Sequence, residues 1–313
     1  MTVLLLVAVL SVITATAFER LTIATKLSAS GAALDQARVY SLAAEAMAAT
    51  RIADLVAADP VRTPRGWENR WARLPIPGGS GLIRARDGGN CFNLNSLVSG
   101  DDPEKLVAQP VGVAQFTALM RALQVDPRVA AVVAAAASDW IDSDSAPQGL
   151  GAEDEAYTRA STPYRTANGW MADPSELRAV TGMTPQLYSV LAPWLCALPT
   201  SDLSQINPNT LSLDQAPLLA MLAPDQLDVS RARALLAARP PGGWPGTLAF
   251  WQSPALRGVT PPAGANEQVT VRTRWFAVET RVTLGNTTSE EKALFDARET
   301  RVRLARRQWG FGE

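Results

Sequence analysis

Histidine is absent from all 313 residues. With it go the commonest general base, the commonest zinc ligand and every His-dependent triad, so most hydrolytic chemistry lacks its usual machinery. Cysteine is almost absent: Cys91 and Cys196 are too few and too far apart for a Cys-only zinc site, and neither belongs to a CxxC pattern. They leave either one disulfide or two inert thiols. Net charge is small, because 29 Lys and Arg nearly cancel 30 Asp and Glu. That balance calls for neither nucleic acid nor an anionic surface. The sequence also has no charge before Glu19, no glycine before Gly31 and no proline before Pro60. Against these absences, the chain is 47% hydrophobic and long enough for about two domains with real cores.

The uncharged start, MTVLLLVAVLSVITATAF, just suffices to cross a hydrocarbon core, which takes ~17 to 25 residues. Beyond it Leu27, Leu34, Leu42, Met47, Ile52 and Leu55 recur at roughly helical spacing among polar positions. One long helix is expected, membrane-spanning over 1–18 and extramembrane over 19–59. Two other readings compete. Ala15-Thr16-Ala17 resembles a signal-peptide cleavage site, although no basic stretch precedes the apolar run. Alternatively, the run is a buried core helix.

After Pro60 the texture breaks into short stretches such as 81–86 and 90–95, punctuated by Pro75, Pro77, Gly78, Gly79 and Gly81; these read as strands and turns, placing the first part of a sheet at 60–100. An alanine- and leucine-rich block follows over 101–253, with helices expected at 114–123, 127–141, 174–180, 185–195, 213–222 and 230–238. Beyond Asn266, VTVRTRWFAVETRVTL and TRVRLARRQW alternate polar and apolar positions, so 254–313 is expected to supply the remaining strands. Strands on both sides of a helical block predict an α+β fold carrying a helical insertion.

The densest acidic cluster lies in DWIDSDSAPQGLGAEDEA, which holds Asp139, Asp142, Asp144, Glu153, Asp154 and Glu155. Counted from Asp142, Asp144 takes position three of a calcium loop, Gln148 position seven and Glu153 position twelve. Ala146 and Pro147 replace the ligand and the glycine that an EF-hand requires, so a different calcium loop or a solvated acidic turn with helix-capping Asp residues is expected. A glycosidase acid pair is a weaker reading, since no aromatic-lined cleft is evident around these acids. GGSGL lacks the second glycine of a GxSxG elbow, and no phosphate-binding or dinucleotide fingerprint occurs.

Asn93-Leu94-Asn95 and Asn207-Pro208-Asn209 look like two related turns near the cysteines. If these segments pack side by side where the helical block leaves and returns, a Cys91–Cys196 bridge pins the junction. The stretch after Ile206 also resembles the helix-hairpin-helix modules of DNA-uptake proteins, with 204–253 as the second half of the block. Its Asp214, Asp225 and Asp228 balance Arg231, Arg233 and Arg239, however, and LAPDQLDV replaces the glycine-flanked hairpin that those modules aim at phosphates.

Taken in order, TVLLLVAVLSVI with DQARVYSLAAEAMA, CFNLNSL, DWIDSDSAPQGLGAEDEAY, PYRTANGWMADPSELRAVTG and INPNT resemble the general secretion pathway protein K family, the large minor pseudopilin of bacterial type II secretion. The resemblance covers almost the whole chain. It implies a pseudopilin fold, with the N-terminal helix packed on an antiparallel sheet and a large all-helical domain inserted. It further implies a single-pass anchor in the inner membrane with the globular part in the periplasm, and a place at the pseudopilus tip beside the minor pseudopilins of types I, J and H. No catalysis, nucleic acid or small-molecule substrate is implied; the runner-up is a membrane-anchored helix-hairpin-helix DNA-binding protein of DNA uptake. Calcium in the helical domain is implied as a structural ion, with Asp142, Asp144 and Glu153 as first choices and Asp139 and Asp154 as further ones. The family's basic leader and prepilin-peptidase glycine are not among these residues, Met1 already lying inside the apolar run, which is therefore expected to be incomplete at its start. The glutamate usual in other pseudopilins just past that cut is likewise missing from the run, as members of this family generally show.

Overall fold

The computed structural model describes residues 1–159, 161–260, 264–299 and 301–310. Its first element, α1 (Thr2–Ala58), is one continuous helix of 57 residues, about 85 Å at 1.5 Å per residue. It stops where Pro60 disfavours helical geometry at the residue before it; Asp59 leaves the helix and its carboxylate accepts the Val61 and Arg62 N–H groups. The helix changes character along its length. Residues 1–32 are exposed, whereas Ala37, Ser41, Ala44, Ala48, Ile52 and Val56 form one buried stripe at three- to four-residue spacing.

That stripe lies on an antiparallel five-stranded sheet. Its strands are β1 (Ala72–Leu74), β2 (Gly79–Asp87), β7 (Trp275–Leu284), β8 (Thr287–Asp296) and β9 (Arg303–Trp309), in the order β1-β2-β7-β8-β9. The alternation read in the sequence holds for β7, whose Phe276 and Val278 pack under Ala48, Ile52 and Val56 beside Ala293 and Phe295 of β8. Two residues, Gly285 and Asn286, turn β7 into β8, and Gly285 takes φ +55°, a conformation that only glycine adopts without a Cβ penalty.

Between β2 and β7 the chain builds the insertion. It contains the short strands β3 (Phe92–Asn93), β4 (Val98–Ser99), β5 (Val107–Ala108) and β6 (Leu195–Cys196). Its helices are α2 (Pro110–Ala122), α3 (Pro127–Ile141), α4 (Asp154–Thr158), α5 (Pro185–Leu191), α6 (Ala216–Ala220), α7 (Val229–Ala237), α8 (Thr247–Trp251) and α9 (Ala265–Gln268). A single large core unites them, with Phe92 stacked on Phe116 at 4.8 Å.

The insertion is wider than the expected 101–253. Phe92, Leu94, Leu97 and Val98, assigned from sequence to the sheet, are fully buried in the helical core, and β3 pairs in parallel with β6 instead of joining the sheet. On the return side Leu256, Val269 and Val271 belong to that same core, and sheet strands resume only at Trp275. Short apolar runs buried on all sides lack the alternation that marks a half-buried strand, so the boundaries were misplaced. The end of the expected 254–313 unit, 311–313, lies outside the described residues.

Two devices fix the insertion on the sheet. At the junction the half-buried Asp87 carboxylate accepts from the Gly89 N–H, the hydroxyls of Thr210 and Thr273, and the Asn207 amide. Burial nevertheless pushes its pKa up. On the far side of the sheet Arg306 of β9 donates to the Ala172 and Ala197 carbonyls, and Gln308 donates to Asp173.

Candidate metal centre

Helix α3 presents its C-terminal end to the acidic loop. Asp126 caps its N-terminus by accepting the Arg128 and Val129 N–H groups, Pro127 fills the first turn, and Asp142 stands at its C-cap. The negative end of a helix dipole is a poor place for carboxylates and a good one for a cation. Here Asp139, Asp142 and Glu153 are nonetheless buried at that end, with relative exposures of 0%, 2% and 6%.

The structure brings Asp142, Asp144 and Glu153 together, with one carboxylate oxygen of each inside 4.8 Å of the others. Asp142 and Glu153 are the buried pair and Asp144 is exposed. The Asp142 Oδ1 and Glu153 Oε1 atoms are sealed from solvent and receive no hydrogen bond. Burial first, and then the repulsion of neighbouring carboxylates, pushes Asp142 and Glu153 each up to about 7. Three convergent carboxylates with orphaned buried oxygens and no basic side chain among them form a hard-oxygen donor set, which fits calcium better than a softer metal.

Asp139 plays a different part. Its carboxylate accepts the Gln148 N–H at 3.1 Å, while burial pushes it up to about 6. Gly151 lies so close that a Cβ there would sit 1.9 Å from Asp139 Oδ2. Asp139 therefore ties down the loop from behind the three converging acids. Asp154 is placed apart: its Oδ1 accepts both the N–H and the hydroxyl of Thr166, which lower its pKa. Of the sequence candidates, three converge, one braces the loop and one is committed to another turn. Gly151 was missed, and its signal was a glycine amid acids where backbone must pass a carboxylate closely.

Cys91 and Cys196 form a disulfide with a Cα separation of 5.8 Å across the β3–β6 pair. The two Asn turns beside it do more than local turn chemistry. In each, the first Asn accepts the N–H of the second, and the second pairs two ways with distant backbone: Asn95 with Met171, Asn209 with Trp244. All three arginines of the helix-hairpin-helix-like stretch have partners within the chain. Arg231 donates to the Ala255 and Arg257 carbonyls, Arg233 pairs with Asp214, and Arg239 donates to three carbonyls after Asn207.

A helix whose apolar half stands free and whose amphipathic half lies on an antiparallel sheet, with a disulfide-pinned helical domain between the sheet's strands, defines a large minor pseudopilin. Comparisons with known proteins agree. Family models described as type II secretion system protein K match residues 90–200 and 206–272. Type II secretion system protein K of Pectobacterium carotovorum is 34% identical, with 98% of this chain and 94% of that protein covered; its counterpart in Aeromonas hydrophila is 35% identical, covering 94% and 90%. A chain in the crystal structure of the GspK–GspI–GspJ complex from enterotoxigenic Escherichia coli superposes with a TM-score of 0.76 at 30% identity, covering 89% of this chain and 97% of that one. The chain belongs to the type II secretion system protein K family. The DNA-uptake alternative gains no support from these relatives.

Proposed function

We propose that this protein is a non-catalytic subunit at the tip of the secretion pseudopilus, anchored in the inner membrane by the start of α1 with its sheet and insertion in the periplasm. The observation that carries the reading is the division of α1. An 18-residue window of mean hydropathy 2.1 is wholly unburied, while the following half is docked on the sheet. A helix so divided can pass from bilayer into a bundle of neighbouring helices without refolding the domain it carries. The solved relative, crystallised with GspI and GspJ, supports partners of the I and J types, and the resemblance adds type H. A bulky insertion projecting from the sheet suits a terminal position, because a repeating shaft needs each subunit to admit another above it.

Calcium is the structural ion in this reading, held by Asp142, Asp144 and Glu153. When bound it supplies positive charge that lets buried carboxylates ionise, and it contributes stability through binding to the folded state alone. Asp139 and Gly151 position the loop. Immunogold labelling of overproduced pseudopili tests the placement: label confined to one filament end is expected, and label distributed along the shaft would overturn it.

A further inference from the structure

Strands in a sheet lie about 4.8 Å apart and a helix with its side chains is about 10 Å across, so one helix covers roughly two strands. In this protein α1 covers β7 and β8, and Glu45 reaches β9 through Arg307. Among the described residues no helix lies on the opposite half of the same sheet face. There β1, β2 and the flank of α1 enclose an apolar groove of about 380 Å³, floored by Ile83 and Ala85 and walled by Met47 and Leu55 on α1. Met47 is 52% exposed, an unusual position for a long apolar side chain on the extramembrane half of the helix.

Only two charged residues line the groove, Arg51 and Arg70. Both are exposed, and neither forms an ion pair or a side-chain hydrogen bond among the described residues. Along α1 the groove runs from Ala44 to Leu55, about 16 Å or three helical turns. A lipid chain is excluded by distance: the 26 residues between Phe18 and Ala44 put the groove about 39 Å beyond the apolar run.

We propose that this shelf is the seat of one amphipathic helix from a partner subunit, with about three turns of apolar residues against Met47, Leu55, Ile83 and Ala85 and with carboxylates flanking that stripe to meet Arg51 and Arg70. Width, length and charge each select this occupant: the uncovered half-sheet is one helix wide, the groove is three turns long, and its unpaired charges are both cationic. The inference rests on the reading that the protein assembles with other minor pseudopilins.

The test uses the full chain co-expressed with the type I and type J minor pseudopilins of its own secretion system. A photo-crosslinking residue replaces Met47, and in a control it replaces Leu248, which is 69% exposed on the insertion. Crosslinks from position 47 are expected on a helical segment of one companion that carries Asp or Glu beside an apolar stripe. The double variant Arg51→Glu, Arg70→Glu is expected to reduce recovery of the complex at least tenfold while retaining the wild-type circular dichroism. Crosslinks to a strand, a loop or a second copy of this chain, or recovery of the double variant equal to wild type, would overturn the groove. If the wild-type complex forms but position 47 stays uncrosslinked, the groove alone is wrong. If the wild type recovers neither companion, the partner reading fails and the groove with it.

Discussion

Glu291 offers a quantitative test of how α1 is held on the sheet. It sits on β8 under the helix at 1% exposure, and neither of its oxygens receives a hydrogen bond. Arg307 of β9 gives two 2.7 Å bonds to Glu45 of α1 and only approaches Glu291, at 3.3 Å. One guanidinium thus faces two carboxylates, and it holds Glu45 below the usual range. Burial, followed by the neighbouring Glu45, pushes Glu291 up to about 7 from an ordinary 4.5. Between those values the folded protein keeps a proton that the unfolded chain has released. The contribution of Glu291 to stability is therefore fully present below pH 4.5 and lost as pH rises through about 7. At 1.36 kcal/mol per pKa unit the whole loss is about 3 kcal/mol. Glu291→Gln keeps the shape without the charge. Urea unfolding of the full chain in detergent, followed by intrinsic tryptophan fluorescence, to which Trp67 contributes from the same seam at 4.9 Å from Phe276, is expected to show the variant more stable by about 2 to 3 kcal/mol at pH 8 and nearly level with wild type at pH 4.5. Subtracting wild type cancels titrating groups remote from Glu291, Asp142 and Glu153 among them. A difference of equal size at both pH values would refute the reasoning.

Replacing Cys91 and Cys196 by Ser removes a link spanning 105 residues, which the chain-entropy model values at about 4 to 5 kcal/mol; denaturant titration of the double variant is expected to show a loss of that order. Gly151→Ala drives a methyl into Asp139, so calcium is expected to raise the melting temperature of the wild type but not of this variant, as read by thermal unfolding with calcium and with chelator.

Long, strongly patterned elements were legible in the sequence. The absence of proline before Pro60 and the helical spacing of apolar residues gave α1, the alternation gave β7 and β9 but not β8, and α3 fell at its expected bounds because Asp126 and Pro127 announce its start. The insertion's edges were not legible, since Phe92 to Val98 and the residues returning through Val271 are buried on every side and carry no period. At the acidic loop, spacing identified Asp142, Asp144 and Glu153, but the separation of Asp139 and Asp154 from them depends on where Gln148 and Thr166 fall in space. The Glu45–Arg307–Glu291 set was out of reach for the same reason: its members are 246 residues apart between Glu45 and Glu291, and only the β8–β9 pairing and the docking of α1 assemble them.

The central claim is that this chain is a terminal subunit built to assemble with other minor pseudopilins. Native mass spectrometry of the full chain co-expressed with companions of types I, J and H bears on it most directly. A discrete complex containing a single copy of this chain is the predicted result. A ladder of species with many copies of it, or its release without any companion, would contradict the account.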